Sequence, residues 1–315
     1  MRFSASSTAM ADNTLSPDLH PPNLLAQPAT DPPLPCVSVI MLTYNRPQFI
    51  GRAIQSVLDQ NFSDWELVIV QDGDQELTKA VVGDWQSRDR RLRFFHRDKP
   101  GNVASALNFG VQQARGEFIA ILDDDDYWIS KEKLSRQVVF LRQNPKYVAC
   151  GGGAIVIDER GNEQLHYLKP QDDAEIRSKI LQSNPMAHST TLYRKSVALG
   201  LGLYDEGLPG YQDWDLFLRM ANVGKLYNFS EPLMYYTLWD GGTTYSRLRL
   251  NAKSAVRIVA RHRKEFPGAV LAQLLAGAYV VYTYLPSPIR SASFSLLSRL
   301  KKWFFSAAKP HRPVS

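Results

Sequence analysis

Regular alternation of apolar and polar positions begins at Val37. Residues 1 to about 35 are rich in Ser, Ala, Pro and Asn, with breaks at Pro21-Pro22 and Pro32-Pro33. Such a segment buries too little apolar surface to offset its ordering entropy, so a disordered arm is expected there. Its longest apolar run, around Leu24-Leu25-Ala26, is short for a secretory leader. The run Val37–Leu42 then reads as a buried strand, and after the turn Tyr44-Asn45-Arg46-Pro47 the apolar positions change period. Phe49, Ile50, Ala53, Ile54, Val57 and Leu58 recur three and four apart and form one helical stripe. A second strand, Glu66–Val70, completes a strand–helix–strand unit.

The alternation continues with a helix from Glu76 to Trp85, a strand at Leu92–His96, a helix at Val103–Ala114 and a strand at Glu117–Leu122. Ser130 is placed to cap a further helix that runs to about Gln143. Strands alternating with helices imply an α/β architecture with a mostly parallel sheet and right-handed crossovers. In such sheets ligands bind beyond the carboxyl ends of the strands. The stretch 148–235 is mixed, with candidate strands at Ala154–Ile157 and Ser189–Tyr193 and a helix at Trp214–Ala221. Beyond residue 247 the chain reads as helical. Ala269–Leu285 is a mostly apolar window of 17 residues, against about 20 for a membrane-spanning helix. Phe294, Leu297, Leu300, Trp303, Phe304 and Phe305 then mix with Arg299, Lys301 and Lys302, which is the make-up of an interfacial amphipathic helix. A helical pair packed on the body is the plainer alternative. The expected organisation is an arm (1–35), one α/β domain (36–246) and a helical basic tail (247–315).

Charge sharpens this division. The 315-residue chain carries +6. From Arg247 to Ser315 there are 13 Lys/Arg and one acid, Glu265, whereas the remainder has 24 Lys/Arg and 30 Asp/Glu. A tail of +12 on a body of −6 points to an anionic surface as partner for the tail. Its aliphatic and aromatic content favours lipid, and no nucleic-acid partner is expected. Two cysteines, Cys36 and Cys150, support neither a disulfide framework nor a zinc site. A reducing compartment follows, so the expected location is cytoplasmic, or peripheral at the inner face of a membrane.

Three polar clusters could carry chemistry. Asp123-Asp124-Asp125-Asp126 directly ends an apolar strand at the ligand edge of the expected sheet. Adjacent carboxylates repel unless a cation or water screens them, and hard oxygen ligands suit Mg²⁺ or Mn²⁺ bridging to phosphate. A solvated acidic loop is the alternative. Asp72, in Val70-Gln71-Asp72-Gly73, could accept hydrogen bonds from a ligand or shape an Asx turn. Asp213, in Gln212-Asp213-Trp214-Asp215, stands where a helix begins, as an N-cap or as a general base.

Val37–Asn45 with Arg46-Pro47, Val70–Gly73, Asn102–Gly116, Leu122–Trp128 and Gln212–Arg219 stand in the order found in family 2 glycosyltransferases, which the chain resembles from about 36 to 240. The resemblance implies an inverting enzyme of the GT-A fold, Rossmann-like, that uses a nucleotide-sugar donor, here UDP-linked. On it, Leu42, Thr43 and Tyr44 line the nucleoside pocket and Asp72 binds base or ribose. Asp124 and Asp125 meet the ribose and the metal-bound diphosphate, with Asp125 the ligand of Mg²⁺ or Mn²⁺. Asp213 matches the catalytic base. His188, in Asn184–Thr190, and Trp214 fall on the acceptor side, with a buried structural histidine as the alternative for His188. The acceptor implied is a hydroxyl of a saccharide or lipid-linked saccharide.

Two departures stand out. The usual Asp-Asp-Gly-Ser turn is Gln71-Asp72-Gly73-Asp74, and Asn102 replaces a basic residue, for which Lys99 or Arg97 could substitute. The Gln-x-x-Arg-Trp motif of processive synthases is missing from the sequence, so one sugar per encounter is expected. The competing readings are a non-catalytic membrane-associated interaction module of the same fold and a sugar-phosphate nucleotidyltransferase.

Overall fold

The computed structural model describes residues 34–239 and 247–286. The arm before residue 34 and the amphipathic stretch after residue 286 lie outside the described residues. The first strands, β1 (Val37–Thr43), β2 (Trp65–Asp72), β3 (Leu92–Arg97) and β4 (Phe118–Ile121), pair in parallel in the order β3-β2-β1-β4. Their connections are α1 (Pro47–Leu58), α2 (Glu76–Arg88) and α3 (Val103–Gln113). β1 and β2 are apolar on both faces because helices cover both. Val37, Val39 and Met41 pack with Ile50, Ala53, Ile54 and Val57 of α1, while Ile40 packs with Leu107 and Val111 of α3.

Beyond β4 the sheet is mixed rather than mostly parallel. After the short β5 (Tyr127–Trp128) and α4 (Lys133–Gln143) come β6 (Tyr147–Ile157), β7 (Glu163–Tyr167) and α5 (Asp173–Lys179). A 3₁₀ turn (His188–Thr190) leads into β8 (Leu192–Arg194), α6 (Lys195–Gly200), α7 (Gln212–Val223) and β9 (Lys225–Thr237). β8 runs antiparallel to both β4 and β6, β9 pairs parallel with β6, and β5 closes that edge antiparallel to β9. The expected strand at 189–193 is therefore shorter and begins later, because Ser189 and Thr190 turn before the chain extends. Ser130 does not cap α4; Glu132 occupies that position, and the Ser130 hydroxyl donates to its carboxylate at 2.9 Å.

Two C-terminal helices follow, α8 (Leu248–His262) and α9 (Ala269–Tyr284). Ala255, Ile258 and Val259 of α8 share one core with Leu216, Phe217 and Met220 of α7. Gly210 gives the Asn251 side chain of α8 its room, since a Cβ there would meet Oδ1 at 2.1 Å and turn the amide aside. No described helix is long and apolar enough to cross a membrane.

Candidate active site

The carboxyl ends of β1, β2, β4 and β9 bring the polar clusters to one edge of the sheet. At the end of β1, Leu42 is half-buried against the core, Thr43 is buried and Tyr44 is 57% exposed. Asn45 adopts φ 53°, which its short polar side chain tolerates, and its N–H donates to Gln75 Oε1 at 3.0 Å. That turn aims Arg46 across the edge. Its Nη1 reaches Asp124 Oδ1 at 2.7 Å and Asp125 Oδ2 at 2.9 Å.

Asp72 ends β2, and Gly73 at φ 95° supplies the left-handed turn after it. Both Asp72 carboxylate oxygens accept from the Gly101 N–H, at 3.2 and 3.1 Å, and Arg97 Nη1 lies 3.1 Å away. The carboxylate thus reaches the loop after β3. Arg97 is the cation beside Asp72, whereas Lys99 is exposed. Asn102 caps α3, accepting from Ser105 N at 2.8 Å.

In the loop after β4, each carboxylate has a different environment. Asp124 is buried beside the equally buried Thr43 hydroxyl, which helps to hold its charge. Asp125 accepts from Trp239 Nε1 at 2.8 Å. Asp126 is buried and holds the loop in place, accepting from Ser189 Oγ at 2.8 Å and Thr237 N at 3.1 Å. Arg52 adds a bond to the Asp125 carbonyl at 3.2 Å and to Thr237 Oγ1 at 2.9 Å. Burial pushes Asp124 up to about 7 although the Arg46 guanidinium opposes it. Burial raises Asp125 and Asp126 as well, and neighbouring carboxylates add to both. This is more carboxylate than the adjacent arginines balance.

A divalent cation fits such a site. Asp123, Asp125 and Asp126 each offer an oxygen within 4.8 Å of the others, and Asp123 and Asp125 are only partly buried. All are hard donors of the kind Mg²⁺ and Mn²⁺ take. Asp126 has both oxygens committed to Ser189 and Thr237, which leaves Asp125 and Asp123 the freer donors.

Asp213 stands in the first turn of α7. Tyr211, at φ 55°, occupies the cap position of α7, so Asp213 is the second helical residue and not the N-cap. Its Oδ2 accepts from Asn184 Nδ2 at 2.5 Å, and the Asn184 carbonyl accepts from Lys169 Nζ at 2.8 Å. Tyr204 lies under the charges of both Asp213 and Asp123, and Tyr167 under those of Asp126 and Asp213. The short stretch 184–189 links Asp213 to the acidic loop, since Asn184 bonds Asp213 while Ser189 donates to Asp126 and accepts from the Asp123 N–H. His188 is half-buried, its Nε2 paired with Tyr204 Oη at 3.0 Å and its ring edge-on to Phe217. Trp214 turns inward: its Nε1 donates to the Ile180 carbonyl at 2.7 Å and its ring joins the core.

Asn184, Trp239, Arg46 and Arg52 are residues of the candidate site that sequence reasoning did not single out. Asn184 stands in the stretch flagged for the acceptor, but an amide carries no charge pattern. Trp239 meets Asp125 from 114 residues away.

The model of glycosyl transferase family 2 matches residues 38–201. The chain belongs to this family. Family 2 relatives include the O-antigen biosynthesis glycosyltransferase WbnJ of Escherichia coli, 30% identical over 68% of this chain and 84% of that one. The uncharacterized glycosyltransferase MJ1057 of Methanocaldococcus jannaschii is 29% identical over 68% and 75%. A relative from Rickettsia felis is much longer, and the match spans 33% of it. Among solved structures, S. aureus TarS with UDP-GlcNAc superposes at a TM-score of 0.61 with 19% identity, covering 85% of this chain and 77% of that one. The Pyrobaculum calidifontis mannosyltransferase with GDP-Man and Mn²⁺ gives 0.60 with 17% identity, covering 85% and 80%. These likenesses show the GT-A fold, and the family makes the chain a glycosyltransferase.

Proposed function

We propose that the chain transfers one sugar from a nucleoside-diphosphate donor, UDP-linked, to a hydroxyl of a saccharide or lipid-linked saccharide, with inversion at the anomeric carbon. The observation that supports this reading is the gathering of Asp123, Asp125 and Asp126 at the carboxyl edge of the sheet, with the stretch 184–189 bonded to Asp213 at one end and to Asp126 at the other. In this reading donor and base flank the anomeric carbon.

Thr43, Tyr44 and Asp72 receive the nucleoside, and Asp72 brings Arg97 with it as the nearby cation. Asp124, set between Thr43 and Arg46, is the acceptor for a ribose hydroxyl. Asp125 is the main ligand of Mg²⁺ or Mn²⁺; when bound, the ion supplies Lewis-acid neutralisation of the departing diphosphate. The acceptor oxygen forms its bond to the anomeric carbon as the bond to the diphosphate oxygen breaks, and the hydroxyl proton passes to Asp213. Asn184 fixes the Asp213 carboxylate for that transfer. His188 borders the acceptor through Tyr204, whereas Trp214 acts by anchoring the start of α7.

Replacing Asp213 with Asn removes the base while preserving shape. Turnover is expected to fall by roughly 10²–10⁴-fold with nucleotide affinity unchanged. Wild-type turnover in this variant, followed as nucleoside-diphosphate release, would remove Asp213 from the mechanism.

A further inference from the structure

We infer that the outer face of the α8–α9 pair is a docking surface for an anionic lipid bilayer, which deepens the reading of a lipid-linked acceptor. α9 buries only a narrow stripe, Ala272, Ala276 and Thr283, and has no charged residue along its 16 positions. Opposite that stripe, Val270, Leu274 and Val281 are 64–73% exposed, flanked by Leu271, Leu275 and Tyr284. A helix apolar on its exposed side needs a cover. At this length it lies on a bilayer and does not cross it.

Charge selects the occupant. Arg249, Lys253 and Arg257 form an exposed row at four-residue spacing on α8, and neither α8 nor α9 contains an acidic residue. Arg249 stands 4.8 Å from the Tyr284 ring, which joins the cation row to the apolar face. Six more Lys/Arg and no acid follow in residues 287–315. Anionic headgroups meet the cations while the apolar side chains enter the headgroup boundary. A second copy would bring the same cation row against itself, which disfavours a two-fold pair on this face.

Tyr279, on the inner side of α9, lies 3.4 Å, hydroxyl to hydroxyl, from Tyr211 at the start of α7, so this contact seats α9 on the body and leaves Val270, Leu274 and Val281 outward.

The test is sedimentation of the full chain with phosphatidylcholine vesicles, with and without phosphatidylglycerol, in the absence of nucleotide and acceptor. Wild type, Leu274→Glu/Val281→Glu and Lys253→Glu/Arg257→Glu are compared with Leu77→Glu, an exposed leucine on α2. Wild type and Leu77→Glu should bind the anionic vesicles alike, and both double variants should lose at least about tenfold in partition while melting at the wild-type temperature. No wild-type binding, or double variants that bind like wild type, would overturn the proposal. So would a wild-type dimer that the α9 variant splits, since a second copy would then cover the face. A chain that binds vesicles but no nucleotide would overturn only the functional reading.

Discussion

Asn184 governs how Asp213 presents its carboxylate. With the amide removed in Asn184→Ala, the Asp213 carboxylate loses its 2.5 Å donor and is free to rotate, which in the proposed mechanism turns the base away from the acceptor hydroxyl. Turnover is expected to fall about 10–100-fold while nucleotide affinity holds, since misplaced catalytic groups cost rates of that order. Asn184→Asp puts a second carboxylate beside the first and disfavours ionisation of the pair. The acid limb of its pH–rate profile should move to higher pH, whereas an unmoved limb would mean that Asn184 does not touch the titrating group. At this scale the sequence was informative about charge and poor about neutral partners. Asp72, Asp124, Asp125 and Asp213 were legible as candidates because carboxylates at strand and helix ends stand out. Asn184 and Trp239 were not, because their partners lie 29 and 114 residues away and only the fold brings them together.

At the level of elements, α8 is held to α7 by an ion cluster around Asp215. The Asp215 carboxylate is fully buried, with Arg219 at 2.8 Å, Arg261 at 2.8 Å and His262 at 3.1 Å. Removing its charge in Asp215→Asn leaves the cations uncompensated and should cost about 3–5 kcal/mol in denaturant unfolding. Burial would raise Asp215, but His262 and the two arginines overcome it and hold the carboxyl down to about 2. Burial would lower His262, but Asp215 and Glu265 raise it above its ordinary value. The Asp215 contribution is thus complete above about pH 4 and lost as pH falls through about 2. The His262 contribution is complete below about 6.5 and lost as pH rises through its raised value. Wild type should be most firmly joined between these limits, and the unfolding of Asp215→Asn should show a flatter pH dependence.

β1 to β4, α1, α3 and α4 were legible from their apolar positions, whereas the two-residue β5 was not read and α2 buries only Thr78 and Val82. β9 was not read either: Asn228, Ser230, Glu231 and Pro232 break the apolar pattern of a strand that pairs with β6 through shifts in register. β6 was read only at its end, because Gly151-Gly152-Gly153 resemble a loop. At Gly152 a Cβ would meet Leu233 of β9 at 2.7 Å, so the glycine permits close packing across the two strands.

Over the whole molecule, the charge asymmetry visible in the sequence has two structural parts. Some tail cations are spent inside the fold, as Arg261 and His262 are on Asp215. Others, such as Lys253 and Arg257, face outward beside an apolar helix. Composition alone cannot divide them, because docking depends on which face of α8 each one occupies. The acidic loop, by contrast, gathers carboxylates at the carboxyl edge of the sheet, where the proposed function requires a ligand. The most direct test of that requirement is calorimetry with UDP, GDP, dTDP and CMP, with and without Mn²⁺, on wild type, Asp125→Ala and Asp213→Asn. One nucleoside diphosphate, UDP, should bind in a Mn²⁺-dependent way, lose binding in Asp125→Ala and keep it in Asp213→Asn. Binding that ignores both Mn²⁺ and Asp125, or no binding of any nucleotide, would contradict the assignment of this edge as the donor site.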